Sequence, residues 1–220
     1  MSQSLLVVFD LDGTLVDSSR DLASAGNALL ASYGSAQLPD EAIVGMVGDG
    51  ARELVRRLLA ASALSVPLDE ALARFLALYD ERLLDTTAPY EGVVESIERI
   101  GAVATLAVLT NKPAAATRKI LAGLGLSRFF AAVLGGDDPL PRKPDPAGLR
   151  ALMQGARATP AVTILVGDSV TDVRTGLAAG VRVCLASYGF GFALVPDADR
   201  AAATWVIERP SQLVAVVPGA

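Results

Sequence analysis

Continuous apolar runs recur along the chain and alternate with segments of helical periodicity. The runs cover residues 5–9, 104–109, 131–134, 162–166 and 181–185, with a weaker candidate at 205–207. A run without polar alternation is typical of a strand buried on both faces of a parallel sheet. Helical patterns follow at 113–124, 146–157 and 171–179. The alternation therefore predicts an α/β fold with a doubly wound parallel sheet.

One long segment interrupts this alternation. From residue 18 to about residue 87 there is no strand pattern, and apolar residues follow the spacing of helices that each bury one face. The sequence therefore predicts an all-helical insert at 17–87, called the cap below, and an α/β core formed by 1–16 and 88–220. In the alternative interpretation these helices only cover the sheet.

Histidine is absent from the 220 residues, and this absence restricts the chemistry. It excludes Ser-His and Cys-His nucleophile pairs, phosphohistidine and His-ligated zinc. Any catalysis must therefore use carboxylates, lysines, hydroxyl groups and backbone amides.

Charge and hydropathy exclude further classes of protein. The net charge is −5 and no run of Lys or Arg forms a basic stripe, which argues against a nucleic-acid partner. No apolar stretch approaches the roughly 18–20 residues of a membrane span. Residues 1–8 lack the basic start of a signal peptide, and the single cysteine fits a reducing compartment. These features predict a cytoplasmic protein without a membrane partner.

Polar residues follow the predicted strands at the sheet edge where ligands bind in such folds. Strand alternation places Asp10 and Asp12 on the same side, and Gly13 allows a turn whose amides face an anion such as phosphate. Taken alone, this motif is also compatible with an acidic strand end that leads into a turn. The later candidates are Thr110-Asn111, Lys143-Pro144 and Gly167-Asp168 with Asp172.

Together and in this order, the motifs resemble those of the haloacid dehalogenase-like superfamily of phosphohydrolases. The matching residues are Asp10-x-Asp12-Gly13-Thr14, Thr110-Asn111, Lys143-Pro144 and Gly167-Asp168-x-x-x-Asp172. The resemblance spans essentially the whole chain, and the cap resembles the type that this superfamily places between its first two motifs. The segments 45–54, 110–113 and 135–138 are similar to phosphoglycolate phosphatases in particular.

The resemblance implies a phosphoric monoester hydrolase that works through an aspartyl-phosphate intermediate. Asp10 would be the nucleophile, and Asp12 would protonate the leaving oxygen and later deprotonate a water molecule. Lys143 would neutralise charge on the phosphate and the nucleophile. Thr110 and the backbone amide of Asn111 would donate hydrogen bonds to phosphoryl oxygens.

The same resemblance implies a bound Mg²⁺ ion. Asp10, Asp168 and the backbone carbonyl of Asp12 would be its ligands, and oxygen ligands of this kind suit Mg²⁺. Asp172 would orient Asp168 or a metal-bound water molecule, with direct ligation as the alternative.

Substrate choice is predicted to depend on the cap. Segment 45–52 brings three glycines and Arg52 to the start of a helix, where free amides accept a small anion such as a carboxylate. Arg52 would add a charged bond to that anion. Equally open is a glycine-rich turn with Arg52 exposed to water. The narrower resemblance predicts phosphoglycolate as the substrate, with a small sugar phosphate, an amino-sugar phosphate, a nucleotide or pyrophosphate as alternatives.

Four rival functions fit the motifs less well. Sugar-phosphate mutases of this superfamily usually carry a cap histidine, which is absent, and a haloacid dehalogenase has no use for Asp12. A phosphonate hydrolase needs a cap lysine, and 18–87 contains none. A non-catalytic phosphate-binding module usually loses a motif carboxylate or the lysine, and none is lost here. The oligomeric state is open.

Overall fold

The computed structural model describes residues 5–220. Residues 1–4 belong to the segment considered as a signal peptide and to the predicted core, and they lie outside the described part. Its eight strands are β1 (Leu6–Phe9), β2 (Val16–Asp17), β3 (Ala88–Pro89), β4 (Thr105–Leu109), β5 (Ala132–Leu134), β6 (Thr163–Gly167), β7 (Arg182–Ala186) and β8 (Trp205–Ile207). Its ten α-helices are α1 (Ser19–Ser32), α2 (Asp40–Val44), α3 (Ala51–Ala61), α4 (Leu68–Asp80), α5 (Val93–Gly101), α6 (Ala114–Gly123), α7 (Ala147–Ala156), α8 (Val170–Ala179), α9 (Asp197–Ala202) and α10 (Leu213–Val216). Within 5–220, no helix combines the length and the apolar character that crossing a bilayer requires.

Six strands form a parallel sheet in the order β5-β4-β1-β6-β7-β8. The central strand β1 is buried along its whole length. Val7 and Phe9 pack in the hydrophobic cluster on one face of the sheet, whereas Leu6 and Val8 pack in the cluster on the other face. Burial on both faces explains why the strands appear in the sequence as continuous apolar runs. The predicted α/β fold with a parallel sheet is confirmed, including the weak strand at 205–207.

The insert after β1 is helical and returns to the core through a short ribbon. Helices α1 to α4 lie between β2 and β3, and these two strands pair antiparallel, Val16 opposite Pro89 and Asp17 opposite Ala88. The predicted cap begins at residue 17, in β2, and ends at residue 87, directly before β3. The division into core and cap remains our proposal, since one continuous hydrophobic cluster contains residues of both.

The Asp21 carboxylate ties the start of α1 to the chain that returns to β3. It accepts hydrogen bonds from the amide and hydroxyl of Thr86 at 2.6–3.1 Å, and from those of Thr87 at 2.9 and 2.6 Å. Burial raises the pKa of Asp21, but these hydrogen bonds outweigh burial and hold the pKa below its usual value. The ionised carboxylate therefore stabilises the junction between the two connecting segments.

Asp21→Asn is expected to lower the free energy of unfolding by about 1–3 kcal/mol at neutral pH, because buried donors lose an acceptor oxygen. Since the folded-state pKa is depressed, the stabilisation is complete above the unfolded value of about 3.9 and is lost as the pH falls through the folded value. Urea unfolding across this range should show the difference between the two proteins narrowing in acid. The exposed Asp69, paired with Arg52 at the surface, supplies the control Asp69→Asn. An equal effect of both substitutions would contradict the role of Asp21.

Candidate active site

The parallel sheet brings the sequence motifs to one edge of the molecule. Asp10 follows β1, Thr110 follows β4 and Asp168 follows β6, and β1 lies between the other two strands in the sheet. All three side chains are buried. Because parallel strands all end at the same edge, residues about 160 positions apart in the chain become neighbours.

Lys143 lies beside two of the carboxylates. Its Nζ is 3.0 Å from Oδ2 of Asp10 and 2.6 Å from Oδ1 of Asp172. Burial alone lowers the pKa of the Lys143 ammonium group, but Asp10 and Asp172 outweigh burial and raise this pKa above its usual value. Lys143 therefore carries a positive charge next to Asp10, where the sequence predicts charge neutralisation.

Three carboxylates form a buried acidic cluster. Asp10, Asp168 and Asp172 each offer an oxygen atom within 4.8 Å of the others. Burial, opposed by Lys143, raises the pKa of Asp10 to about 6. Burial and the neighbouring carboxylates of Asp172 and Asp10 raise the pKa of Asp168 well above its usual value. One ammonium group does not compensate three carboxylates, so the donor set and its charge fit a divalent cation with oxygen ligands.

Both oxygens of Asp172 already have donors. Oδ1 contacts Lys143, and Oδ2 accepts hydrogen bonds from the backbone amide and the hydroxyl of Ser169 at 3.1 and 2.6 Å. One oxygen of Asp168 accepts only the backbone amide of Gly191, at 2.8 Å, among the hydrogen bonds of the described residues. This difference favours Asp168 over Asp172 as a metal ligand. Asp10, whose two oxygens contact the amide of Leu11 at 2.7 Å and Nζ of Lys143 at 3.0 Å, stays a predicted ligand, and Asp172 a predicted support. The role of the Asp12 carbonyl remains a prediction.

Cation binding is expected to weaken as the pH falls through about 6, because Asp10 takes up a proton near that pH in the metal-free protein. The sign for stability is opposite to that of Asp21. A raised folded-state pKa means that the metal-free protein gains stability as the pH falls from above 6 towards the unfolded value of about 3.9. Thermal unfolding with EDTA and with Mg²⁺, at a pH well above and a pH well below 6, measures both trends. An equal Mg²⁺-induced rise in Tm at both pH values would contradict this prediction.

Gly13 provides the close approach between the first and last motifs. It adopts a φ of +82°, and a Cβ atom at this position would lie 2.0 Å from Oδ2 of Asp168. A side chain here would therefore displace the carboxylate from the cluster. The predicted contact of the Gly13 turn with phosphate remains a proposal.

Gly13→Ala is expected to reduce kcat/KM by at least about 10²-fold, because catalytic groups tolerate displacements of no more than about 1 Å. Gly34→Ala is the matched control, since Gly34 has a φ of +70° but a Cβ atom added there would have nothing within 4 Å. Both variants carry the strain of a left-handed backbone, and only Gly13→Ala collides with Asp168. Steady-state kinetics and Tm of the two proteins separate the effects, and equal activity losses would refute the steric argument.

Asp12 is held by residues from different parts of the chain. Its Oδ1 accepts a hydrogen bond from Oγ of Ser18 at 2.6 Å, and both of its oxygens contact Nζ of Lys112, at 2.9 and 3.0 Å. Lys112 also donates to the hydroxyl of Tyr79 in α4. Neither Lys112 nor Tyr79 is among the site residues predicted from the sequence. The position of Lys112, two residues after Thr110 at a strand end, is the signal that could have found it.

The side chain of Asn111 joins two loops. Its Nδ2 donates hydrogen bonds to the carbonyl of Gly48 in the cap at 3.0 Å and to that of Lys143 at 3.1 Å. The side chain of Thr110 is buried next to it, and its Oγ1 accepts the backbone amide of Lys112 at 3.3 Å. The hydrogen bonds that both residues are predicted to donate to phosphate remain proposals.

A cavity of about 60 Å³ lies between the sheet edge and the cap. The core contributes its polar lining, which includes Asp10, Asp12, Thr110, Asn111, Lys112 and Asp168. The cap contributes an apolar lining formed by Leu22, Val47, Ala51, Leu54, Phe75 and Leu76. One water molecule takes up at least about 10–15 Å³ of such space, so the cavity is suited to a small ligand.

The structure does not bring Arg52 to this cavity. Gly48, Gly50 and Ala51 line the cavity at the start of α3, but Arg52 does not. Its guanidinium group lies 2.6 Å from Asp69, and the two side chains are 48% and 83% exposed. Successive helical residues point about 100° apart, so Ala51 and Arg52 face different directions. The alternative with Arg52 exposed to water is therefore the one that the structure favours.

Comparison with known proteins agrees with this geometry. Residues 7–186 match the family model of the haloacid dehalogenase-like hydrolases. The chain belongs to this family. The predicted resemblance is thus confirmed, and with it the prediction of a phosphatase, because curated members of the family with phosphatase names share 38–44% of their residues with this chain.

Alignments with individual relatives cover most of the chain. A phosphoglycolate phosphatase of Rhodospirillum rubrum is 44% identical over 196 residues, which are 84% of this chain and 80% of the relative. Phosphoglycolate phosphatase 1 of Pseudomonas aeruginosa is 40% identical over 84% of this chain and 70% of its own length. The crystal structure of a predicted phosphoglycolate phosphatase of Haemophilus somnus superimposes with a TM-score of 0.89 at 28% identity, covering 98% of this chain and 99% of the other.

Proposed function

We propose that the protein is a phosphoglycolate phosphatase that hydrolyses its substrate to glycolate and inorganic phosphate. The observation that carries this proposal is the convergence of Asp10, Asp12, Lys143 and Asp168 beneath one small cavity. Relatives named for the same activity, at up to 44% identity, support the choice of substrate.

In the first step, an oxygen of Asp10 attacks phosphorus. A bond forms between Asp10 and phosphorus while the bond from phosphorus to the ester oxygen breaks. Asp12 donates its proton to the leaving ester oxygen, so that glycolate departs as an alcohol. Lys143, 3.0 Å from Asp10, stabilises the negative charge that gathers on the phosphoryl group.

In the second step, water attacks phosphorus of the aspartyl-phosphate. Asp12, now a carboxylate, takes a proton from this water molecule, and the bond between phosphorus and Asp10 breaks. Inorganic phosphate leaves, and the initial carboxylate of Asp10 and the protonated Asp12 are restored. Asp10 and Asp168 would hold a divalent cation, proposed to be Mg²⁺, which supplies charge neutralisation for the phosphoryl oxygens.

The cavity favours a short substrate over the alternatives. The cavity is small, at about 60 Å³, and the cap side of its lining is mostly apolar, which suits a short substrate better than a polyhydroxylated sugar phosphate or a nucleotide. Phosphoglycolate places only two carbons and a carboxylate beyond the ester oxygen. We propose a cytoplasmic location because the single cysteine and the metabolite-like substrate fit it.

A panel of phosphate esters compared by kcat/KM in Mg²⁺ tests the proposal. The panel contains phosphoglycolate, small sugar phosphates, an amino-sugar phosphate, nucleotides and pyrophosphate. Phosphoglycolate is expected to have the highest kcat/KM. Another compound well above phosphoglycolate would refute the substrate, and no turnover of any ester would refute the phosphatase. Repeating the assay after EDTA with Mg²⁺, Mn²⁺ or Ca²⁺ tests the choice of metal.

A further inference from the structure

Lys112 is the one cationic residue among the described residues that line the cavity. Its side chain is 4% exposed, and its Nζ contacts both oxygens of Asp12 and the hydroxyl of Tyr79. The other cation of the site, Lys143, contacts Asp10 and Asp172 and is not part of the lining. A second anionic group of a substrate, at a distance from its phosphate, would therefore meet Lys112.

The protonation states of Lys112 and Tyr79 suit an anionic partner. Burial alone lowers the pKa of the Lys112 ammonium group, but Asp12 and Tyr79 outweigh burial and raise it above its usual value. Burial raises the pKa of Tyr79 to about 12. Tyr79 therefore keeps its proton, and its oxygen accepts from Lys112. No residue within 5–220 accepts a hydrogen bond from the Tyr79 hydroxyl, so its proton is available to a carboxylate.

We propose that Lys112 and Tyr79 bind the carboxylate of the substrate, and that this contact draws the Lys112 ammonium group away from Oδ2 of Asp12. The inference rests on the proposed function, because it assigns a receptor to the carboxylate of phosphoglycolate. Lys112 follows the phosphate-site residue Thr110 by two positions, and it adjoins Asp12, which faces the ester oxygen in the proposed reaction. A carboxylate one carbon from that oxygen lies within reach of such a neighbour.

The hydrogen bonds of Asp12 give the contact a second effect. In this structure Oδ1 accepts from Ser18 and Lys112, and Oδ2 accepts from Lys112. Each oxygen therefore already accepts a hydrogen bond, and Lys112 is the donor at Oδ2, the oxygen that Ser18 does not hold. When the substrate carboxylate engages Lys112, Oδ2 loses its donor while Ser18 still holds Oδ1. Substrates that carry the carboxylate should therefore have a higher kcat as well as a lower KM.

Other parts of the cavity offer the carboxylate less. The cap lining is mostly apolar, and Arg52 pairs with Asp69 at the surface. The start of α3, where Gly50 and Ala51 line the cavity, is the competing receptor. Substitution of Lys112 leaves the amides of α3 in place. A preference for carboxylate substrates that survives this substitution would therefore come from α3.

The test compares phosphoglycolate with ethyl phosphate, in which a methyl group replaces the carboxylate. The kcat/KM ratio of these two esters is measured for the wild-type protein, for Lys112→Met and for the control Lys119→Met, whose lysine pairs with Asp80 at the surface. The wild type and the control are expected to favour phosphoglycolate by about 100-fold, which is the worth of a charged hydrogen bond. In Lys112→Met this ratio is expected to fall to within a few-fold of unity, because any damage to Asp12 affects both esters alike.

Two further measurements apply if Lys112→Met does not fold. Tyr79→Phe removes one hydroxyl and is expected to lower the ratio by about 3-fold. In the wild-type protein, 3-phosphonopropionate is expected to inhibit phosphoglycolate hydrolysis about 100-fold more strongly than propylphosphonate, which lacks the carboxylate. This comparison tests whether the carboxylate is bound, and Tyr79→Phe tests where it is bound.

The outcomes separate this inference from the proposed function. If the wild type prefers phosphoglycolate in the ester panel but Lys112→Met and Tyr79→Phe keep the full ratio, the carboxylate is bound elsewhere, and only the present inference is overturned. If the wild type does not prefer phosphoglycolate, the proposed function is overturned as well. A ratio that falls in Lys112→Met through both kcat and KM supports the inference.

Discussion

Asp10→Asn is expected to reduce the turnover of phosphoglycolate by at least about 10⁴-fold, the scale seen when a nucleophile is removed. The amide is a poor nucleophile for phosphorus, and among the described residues no other carboxylate lies both beside Lys143 and at the end of the central strand. Steady-state kinetics in Mg²⁺ measure the loss. Mass spectrometry of acid-quenched protein should detect a phosphoryl group on the wild type during turnover and none on the variant.

Unfolding of the Asp10→Asn variant is not expected to cause this loss of turnover. Burial raises the pKa of Asp10 to about 6, so the ionised carboxylate lowers the free energy of unfolding of the metal-free protein at neutral pH. A neutral asparagine is therefore expected to leave the Tm in EDTA unchanged or raised. Asp69→Asn, at the exposed partner of Arg52, is the activity control. If Asp10→Asn retained more than a tenth of wild-type turnover, the covalent mechanism would be wrong.

Lys143→Met is expected to lower the free energy of unfolding by about 3–5 kcal/mol and to abolish activity. The substitution removes the cation that lies 3.0 Å from Asp10 and 2.6 Å from Asp172, and a buried charge without its partner is costly. Urea unfolding in EDTA at neutral pH measures the loss. Added Mg²⁺ should restore part of the stability, because a cation at the acidic cluster replaces some of the missing positive charge.

Lys119→Met is the matched control for this experiment. Lys119 also contacts one carboxylate, that of Asp80, but both side chains are more than half exposed. The expected cost is below about 1 kcal/mol, since water screens such a pair. If both lysine substitutions cost the same, burial would not be the source of the effect at Lys143.

Most of the core could be predicted because its elements have local patterns. All six strands of the sheet appear as apolar runs, and helices α6, α7 and α8 fall within or close to the predicted ranges. Helix α5 was not predicted, although Val93, Ile97 and Ile100 are buried at helical spacing. The ribbon of β2 and β3 was not predicted as strands, since each has only two residues and two residues carry no periodicity.

The sequence predicted the carboxylates of the site better than its cationic residues. Asp10, Asp168 and Lys143 lie together as expected from their places after strands or in the motifs. Arg52 does not reach the cavity, because its helical position turns it towards Asp69. Lys112 lies 100 residues from its partner Asp12, and Tyr79 comes from the cap, so that no local pattern connects the three.

The sequence by itself determined the parallel sheet and the edge at which its acidic residues gather. Buried strands must be apolar along their length, and parallel strands must all end on one side. Only the tertiary structure decided which ammonium group serves which carboxylate and which residues of the cap close over them. A long cationic side chain pairs with a carboxylate that lies within its reach. The packing of the helices sets the distances between such groups.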